Sequence, residues 1–188
     1  KNLDKLNKFT LSTNSKDKNV NNIFFGIKGK SFNGGDFVDE ALKNGAKIAF
    51  VEKIKKYNNK KIKVKSPLKL LTDISTKVRI SSTVCPIAIT GSSGKTSLKE
   101  LLGQSLQNIS KTVYSRRSFN NKFGVPISLF KLNKNSNFGI FEIGMDRAGE
   151  INNLSKIIKP DIGVITNISY AHAKNFESIN DIAKSKSE

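Results

Sequence analysis

An apolar strand, a loop of small residues and the start of a helix follow one another in Ile87-Ala88-Ile89-Thr90-Gly91-Ser92-Ser93-Gly94-Lys95-Thr96. Glycines let backbone N–H groups turn inward around phosphate oxygens, and a helix N-terminus adds partial positive charge. The lysine of such a loop reaches the β- and γ-phosphates, and the threonine hydroxyl ligates Mg²⁺. The stretch therefore predicts an ATP-binding phosphate loop of the short Gly-x-x-Gly-Lys-Thr form. The residues expected to bind the nucleotide are Gly91, Ser92, Ser93, Gly94, Lys95 and Thr96.

Strand and helix patterns alternate on both sides of this loop. Apolar runs predict strands at Val84–Thr90, Lys111–Tyr114, Gly139–Ile143 and Asp161–Thr166. The spacing of apolar residues predicts helices at Lys95–Ile109, Gly149–Ile158 and Ile179–Glu188. Because strands and helices of these lengths alternate, we expect an α/β fold with a parallel sheet flanked by helices.

The first third of the chain predicts a smaller α/β unit. Strands are expected at Asn22–Ile27 and Lys47–Val51, with a helix between them that Asp36 caps and Gly45 ends. The apolar face of that helix is expected to consist of Phe37, Val38, Ala41 and Leu42.

The lysine-rich residues 53–65 are predicted to form a solvated surface segment with one short strand. A helix is then expected to start at Ser66-Pro67, because apolar residues recur at helical spacing. Those residues are Leu68, Leu71, Ile74 and Val78. We place the domain boundary just after this helix, so that residues 1–81 form one domain and residues 82–188 the second.

The chain of 188 residues carries a formal net charge of +18, for which nucleic-acid binding is the obvious interpretation. Lysines are spread along the whole chain, however, and the phenylalanines lie mostly in apolar runs. Proteins that stack on bases interleave aromatic residues with basic ones. We therefore expect no nucleic-acid partner, and interpret the charge as a compositional bias with a modest benefit for anionic substrates.

No apolar run approaches the roughly 18 residues that span a bilayer, and residues 1–10 lack the apolar core of a signal peptide. The single cysteine, Cys85, lies in an apolar run and is expected to be a buried structural thiol. These observations favour a cytoplasmic location without a membrane partner. The chain starts at Lys1 and stops at Glu188 within a helical pattern, so we expect it to be incomplete.

Five motifs along the chain resemble, in the same order, those of the Mur ligases. The first is Thr90–Thr96, followed by Asn120-Asn121-Lys122-Phe123-Gly124-Val125-Pro126 and by Glu142-Ile143-Gly144-Met145-Asp146-Arg147-Ala148-Gly149-Glu150-Ile151. Thr166-Asn167-Ile168 with Ala171-His172, and Ile182-Ala183 with Lys186 and Glu188, complete the set. The resemblance covers nearly the whole chain, weakly before Ser81 and well after it.

Within the family, the best resemblance is to the branch that joins D-alanyl-D-alanine to UDP-N-acetylmuramoyl-tripeptide. Gly91-Ser92-Ser93 stands where the amino-acid-adding branches usually have Gly-Thr-Asn, and Gly149-Glu150-Ile151 favours the same branch. Residues 23–29 and 32–37 resemble the family's UDP-sugar-binding domain. The resemblance thus implies an N-terminal UDP-sugar-binding domain, followed by an incomplete central ATP-binding domain.

The resemblance further implies a monomeric, ATP- and Mg²⁺-dependent ligase of cytoplasmic peptidoglycan precursor synthesis. In this family ATP activates a peptide carboxylate as an acyl phosphate, and the incoming amine then displaces phosphate to form an amide. Lys95 and Mg²⁺ would neutralise the negative charges that converge. By the same resemblance, the adenine-contacting region and the C-terminal domain lie outside the chain, so we expect little or no ligase activity from the 188 residues alone.

The resemblance also assigns roles to single residues. Thr96 and Glu142 would hold a first Mg²⁺ as hard oxygen ligands, and His172 would lie near a second. Asn121 is a candidate contact to phosphate or substrate. Lys186 matches a lysine that relatives carry as a carbamate, so that Lys95, His172 and Lys186 are the expected catalytic residues. Independently of any family, Glu142 ends an apolar strand, where an unpartnered charge is costly.

The sequence departs from the family pattern at four places. Asn14-Ser15-Lys16 replaces Asp-Ser-Arg and Gly35 replaces a histidine, and the resemblance assigns both places to UDP contacts. Lys174 replaces an acidic residue and Glu177 replaces a glycine, which alters the local charge near His172.

A phosphate loop alone does not choose a reaction, since kinases and GTPases also use one. The segment Asn121-Lys122-Phe123-Gly124 lacks the aspartate of the base-recognition motif Asn-Lys-x-Asp of GTPases. The amino-acid-adding Mur ligases and folylpolyglutamate synthase are the alternatives among ligases. A basic nucleic-acid-binding module is the alternative that is not an enzyme.

Overall fold

The computed structural model describes residues 8–29, 31–56, 58–115, 118–170 and 175–188. The chain forms two compact α/β units, which divide between Lys77 and Val78. Each unit contains a parallel sheet, so the predicted fold class is confirmed. The assignment of residues 1–81 and 82–188 to a UDP-sugar-binding and an ATP-binding domain stays a prediction.

The first unit is built on a four-stranded parallel sheet. Its strands, in spatial order, are β1 (Thr10–Ser12), β2 (Asn22–Phe25), β3 (Ile48–Val51) and β4 (Lys61–Lys63). A 3₁₀ turn at Gly34–Phe37 leads into helix α1 (Val38–Lys43), which connects β2 with β3. The core consists of the buried residues Phe24, Val38, Ala41, Ala46, Ala49 and Val51.

Two expectations for this unit are wrong. Asp36 does not cap α1, because the N-cap residue of α1 is Phe37, which makes no side-chain capping hydrogen bond. The preceding 3₁₀ turn is capped by Asn33, whose Oδ1 accepts a hydrogen bond from the Gly35 N–H at 3.0 Å. Asp36 Oδ1 instead accepts a hydrogen bond from Lys55 Nζ at 2.6 Å. Phe37 is 41% exposed and packs edge-on against another exposed ring, so it does not join the buried face of α1. Gly45 ends the helix as expected, with a φ of +105°.

Helix α2 (Pro67–Ile80) starts where the sequence predicts it, and the second sheet follows. The strands of this sheet are β5 (Cys85–Thr90), β6 (Thr112–Tyr114), β7 (Phe138–Glu142) and β8 (Ile162–Ile165). They are parallel, in the spatial order β6-β7-β5-β8. Among the residues with assigned positions, no helix has the length and apolar character needed to cross a membrane.

Four helices accompany the second sheet: α3 (Lys95–Gln107), α4 (Gly124–Leu129), α5 (Glu150–Ile158) and α6 (Ile179–Lys186). Helix α4 was not predicted from the sequence, since glycine and proline are poor helix formers in isolation. Pro126 lies in the first turn, where a missing N–H breaks no helical hydrogen bond. All six residues of α4 are buried, so tertiary packing holds this helix despite its composition.

Helix α3 packs on the sheet through residues spaced four apart. Leu98, Leu102 and Leu106 contact a core made of Ile87, Ile89 and Ile140. A Cβ added at Gly103 would lie 2.7 Å from the ring of Tyr114, so only glycine permits this close approach of α3 to β6. The packing fixes the N-terminus of α3 at the carboxyl edge of the sheet.

The three strands β7, β5 and β8 bring their carboxyl ends together. Ile89 of β5 is paired with Glu142 of β7 on one side and with Val164 of β8 on the other. In open parallel sheets, ligands bind at this edge. The loop after Thr90 therefore lies between Glu142 and the segment that follows Ile165.

Cys85, at the start of β5, is half-buried rather than fully buried as expected. Burial and the neighbouring Asp161 carboxylate raise the pKa of the Cys85 thiol. Because the thiolate is the reactive form, this environment agrees with a structural thiol.

Candidate active site

The loop between β5 and α3 requires glycine at two positions. Gly91 has a φ of +143° and Gly94 a φ of +77°. A Cβ added at Gly91 would lie 1.9 Å from Thr166 Oγ1, which leaves no space for a side chain. Gly94 is the N-cap residue of α3. The glycines of the sequence motif are thus explained by backbone conformation and by the close approach of the segment after β8.

The segment after β8 forms one wall of this loop. Thr166 donates hydrogen bonds from its N–H to Thr90 O at 2.9 Å and from Oγ1 to Ser93 O at 2.5 Å. The Asn167 side chain accepts from the Ser93 N–H at 2.9 Å and donates to Ser93 Oγ at 2.8 Å. In the sequence, Thr166 and Asn167 are recognised only as part of a motif, and the structure shows that their side chains fix the loop.

Lys95 folds back over the loop that precedes it. Its Nζ donates a hydrogen bond to Gly91 O at 2.8 Å and lies 3.4 Å from Ser92 O. The side chain is half-buried. An ammonium in this place can exchange weak carbonyl contacts for phosphate oxygens, to which charge-assisted hydrogen bonds are stronger.

Thr96 and Glu142 lie side by side, although 46 residues separate them in the sequence. Thr96 Oγ1 donates a hydrogen bond to Glu142 Oε2 at 2.8 Å, and Asn120 Nδ2 donates one to Glu142 Oε1 at 2.8 Å. Glu142 is only 1% exposed. A hydroxyl and a carboxylate are hard oxygen ligands of the kind that Mg²⁺ takes, together with phosphate oxygens and water. The donor set therefore fits Mg²⁺.

Within the described ranges, no three His, Cys, Asp or Glu side chains come together as a metal-binding group. His172, the predicted neighbour of a second Mg²⁺, lies outside the described residues, as does Lys174.

The two neighbouring asparagines have different contacts. Asn121 Oδ1 accepts hydrogen bonds from the N–H groups of Phe123 and Gly124, both at 3.0 Å, at the start of α4. Asn120 contacts the Glu142 carboxylate, and its carbonyl accepts from the Gly144 N–H at 2.7 Å. Asn121 was predicted as a site residue and Asn120 was not, since nothing in the local sequence distinguishes two adjacent asparagines.

Lys186 is buried at the end of α6, with 4% of its surface exposed. Burial lowers the pKa of Lys186, and the positive charge of Lys95 lowers it further. The two predicted catalytic lysines are therefore close enough to interact. Glu188, just beyond α6, accepts hydrogen bonds from the N–H groups of Gly149 at 2.8 Å and Asn152 at 3.1 Å. This contact ties the end of α6 to the N-terminus of α5.

We expect Gly91→Ala to lower the free energy of unfolding by about 2 to 4 kcal/mol, because the new Cβ overlaps Thr166 and the φ is unfavourable for alanine. Chemical denaturation of the full-length protein measures the change. Gly163→Ala is the matched control, since a Cβ at Gly163 meets nothing within 4 Å. Equal losses for the two variants would contradict the steric explanation.

We expect Lys186→Met to raise the thermal midpoint at pH 7, with a gain that shrinks as the pH approaches 10.5, the ordinary lysine pKa. The folded state binds the Lys186 proton less tightly than the unfolded state does, because the pKa of Lys186 is lowered by folding. The protonated lysine therefore lowers the free energy of unfolding, and this destabilisation is complete at pH values below the folded-state pKa. The destabilisation disappears as the pH rises from the folded-state pKa to the unfolded-state value. Thermal melts at pH 7 and pH 10 test this, with Lys184→Met on the exposed side of α6 as the control. A gain independent of pH would contradict the expectation.

Comparison with known proteins gives consistent matches. A family model described as the Mur ligase middle domain matches residues 89–188. UDP-N-acetylmuramoyl-tripeptide–D-alanyl-D-alanine ligase of Rickettsia prowazekii is 38% identical over 177 residues, covering 93% of this chain and 39% of that protein. The Escherichia coli protein of the same name is 31% identical over 166 residues, covering 88% of this chain and 37% of that protein.

Solved structures match over almost the whole chain. MurF from Acinetobacter baumannii has a TM-score of 0.84 at 30% identity, covering 98% of this chain and 44% of that chain. MurF ligase from Thermotoga maritima, in complex with ADP, has a TM-score of 0.82 at 31% identity, covering 96% and 42%. The chain thus spans between 37% and 44% of the length of these four proteins. With its phosphate loop and its match to the middle-domain model, the chain belongs to the Mur ligase family.

Proposed function

We propose that this chain binds and positions ATP in a ligase whose full-length form joins D-alanyl-D-alanine to UDP-N-acetylmuramoyl-tripeptide. The hydrogen bond between Thr96 Oγ1 and Glu142 Oε2, at the end of the phosphate loop, carries the proposal. It joins the two predicted Mg²⁺ ligands, one in the first turn of α3 and the other at the end of β7. The choice of substrates is supported by the names of the relatives from Rickettsia prowazekii and Escherichia coli.

The loop from Gly91 to Thr96 holds the phosphates of ATP through its backbone N–H groups and the N-terminus of α3. Lys95 Nζ leaves the carbonyl oxygens of Gly91 and Ser92 and binds the β- and γ-phosphates. The complex of the Thermotoga maritima relative with ADP supports nucleotide binding. Asn121 contributes a further contact to phosphate or substrate.

Thr96 and Glu142 would hold Mg²⁺, and the family resemblance assigns His172 to a second ion. When bound, Mg²⁺ neutralises charge on the phosphoryl group as it is transferred. The geometry that supports this role is the buried carboxylate of Glu142, held by Asn120 on one oxygen and by Thr96 on the other.

In the reaction, a carboxylate oxygen of the tripeptide attacks the γ-phosphorus of ATP, and ADP leaves. The amine of D-alanyl-D-alanine attacks the acyl carbon, inorganic phosphate leaves, and the amine loses a proton to give the amide. The positive charge of Lys95 offsets the repulsion between ATP and the tripeptide carboxylate, which must come into contact for the reaction. Burial lowers the pKa of Lys186, and the charge of Lys95 lowers it further, which favours the neutral amine that a carbamate requires.

The first unit of the proposed ligase binds the UDP-sugar part of the tripeptide substrate. The full-length protein of this proposal acts as a monomer in the cytoplasm. The chain spans 39% of the length of the Rickettsia prowazekii relative. By the family resemblance, the adenine contacts and the site of the incoming amine lie outside these residues.

A substrate panel assayed by phosphate release from the full-length protein tests the proposal. Release is expected with ATP, UDP-N-acetylmuramoyl-tripeptide and D-alanyl-D-alanine together, with the amide product identified by mass. Parallel reactions offer UDP-N-acetylmuramoyl-dipeptide with lysine or diaminopimelate, and dihydrofolate with glutamate. Release in one of these reactions alone would favour a sister ligase or folylpolyglutamate synthase. Salt-dependent DNA binding without ATP affinity would contradict the ligase altogether.

A further inference from the structure

Lys99 of helix α3 is completely buried, with no exposed surface. Its Nζ lies 3.0 Å from Glu100 Oε1 and 3.9 Å from Glu142 Oε2. Glu142 is itself 1% exposed, whereas the Glu100 side chain is 38% exposed. A buried lysine is rare among proteins unless it is paired. One of the carboxylates near Lys99 is that of Glu142, for which a Mg²⁺ role is proposed.

The position of Lys99 follows from helix geometry. Residues three and four apart lie on the same face of a helix, so Lys99 shares its face with Thr96 and Lys95. That face is turned toward the carboxyl edge of the sheet, where β7 ends at Glu142. Lys99 was not predicted as a site residue, because in the sequence it resembles the many solvated lysines of this chain.

We infer that Lys99 is a positioning residue, which holds the Glu142 carboxylate in place facing Thr96 before nucleotide and metal arrive. This inference rests on the proposed function. Two neutral groups, the Thr96 hydroxyl and the Asn120 amide, donate hydrogen bonds to Glu142. Lys99 adds the positive charge that offsets the burial of the carboxylate.

The distances explain why Lys99 can balance charge without blocking the metal. At 3.9 Å its Nζ is beyond hydrogen-bond range of Glu142 Oε2, so it occupies no lone pair that a cation needs. Its shorter contact, at 3.0 Å, is with Glu100. Glu100 therefore anchors the ammonium on its own helix while the ammonium acts on Glu142 through space.

Binding of ATP to the full-length protein, measured with and without Mn²⁺, tests the inference. For Lys99→Met we expect metal-free ATP binding, measured in EDTA, to change less than about twofold, because the phosphate loop is intact. The gain in affinity on adding Mn²⁺ should fall by about tenfold or more, and Lys99→Arg should keep most of it. Lys156→Met, an exposed lysine on α5, is the matched control and should behave as wild type.

Each outcome has a distinct meaning. The positioning role would be overturned if Mn²⁺ raised the ATP affinity of Lys99→Met as much as that of the wild type. It would also be overturned if Lys99→Met lost the same ATP affinity with and without metal. If the wild type bound no ATP under either condition, the proposed function itself would fail.

A double-mutant cycle on the thermal midpoint covers the case in which Lys99→Met folds poorly. We expect the double variant Lys99→Met/Glu142→Gln to melt at a higher temperature than Lys99→Met alone, since the unpaired buried carboxylate is gone. Additive effects of the two substitutions would show that these side chains are not coupled, and the inference would be wrong.

Discussion

Lys95→Ala should lower kcat/KM for ATP-dependent phosphate release by the full-length protein by about 10³-fold or more. The ammonium of Lys95 already lies at the loop, 2.8 Å from Gly91 O, so little reorganisation is needed when phosphates replace the carbonyl. Alanine removes the positive charge that offsets the repulsion between ATP and the substrate carboxylate. Phosphate release under saturating acceptor measures the effect, and equilibrium ATP binding separates lost affinity from lost turnover.

Two further variants make the Lys95 result specific. Lys95→Arg keeps the positive charge but replaces the compact ammonium with a guanidinium. The activity of Lys95→Arg should therefore lie between those of Lys95→Ala and the wild type. Lys156→Ala removes an exposed lysine from the same unit and should leave the rate unchanged. A wild-type rate in Lys95→Ala would mean that the nucleotide site lies elsewhere.

Glu142→Gln should lower kcat by about 10²-fold or more at millimolar Mg²⁺, with partial recovery as the Mg²⁺ concentration rises. Glutamine keeps the size of the side chain and can still accept the hydrogen bond that Asn120 donates to the carboxylate. The charge that attracts the metal is lost, so the requirement for Mg²⁺ should increase most. The measurement is kcat as a function of Mg²⁺ concentration for the full-length protein.

Glu150→Gln is the matched control for Glu142→Gln. Glu150 Oε2 accepts hydrogen bonds from the N–H groups of Asp146 at 2.6 Å and Arg147 at 3.3 Å, so its task is to close a loop. Its loss should affect stability while leaving the Mg²⁺ requirement unchanged. If kcat of Glu142→Gln depended on the Mg²⁺ concentration in the same way as kcat of the wild type, Glu142 would not be a Mg²⁺ ligand.

Most of the fold could be predicted because its signals are local. The strand before Gly91, the two glycines and the helix after Thr96 are contiguous, and strand–helix alternation implies a parallel sheet. Strand β1 was missed because three residues, Thr10–Ser12, are too few to show alternation. Helix α4 was missed because its stability comes from burial rather than from helix propensity.

The site was predicted less completely, because several of its contacts join distant parts of the chain. A family motif identified Glu142, but nothing in the sequence shows that Asn120, and not Asn121, contacts its carboxylate. Burial of Lys99 is a property of the packed helix and sheet, which composition hides in a lysine-rich chain. His172 lies outside the described residues, so its role stays a prediction.

Because Glu142 is paired with Ile89 in the sheet, the direction of its side chain depends on the number of residues in β7. Successive strand residues point to opposite faces, so removing one residue between Phe138 and Phe141 would turn Glu142 away from Thr96. The apolar character of the strand would hardly change. Viable length changes in this chain should therefore fall in the connecting loops, and a deletion within β7 should be inactivating even in a protein that still folds.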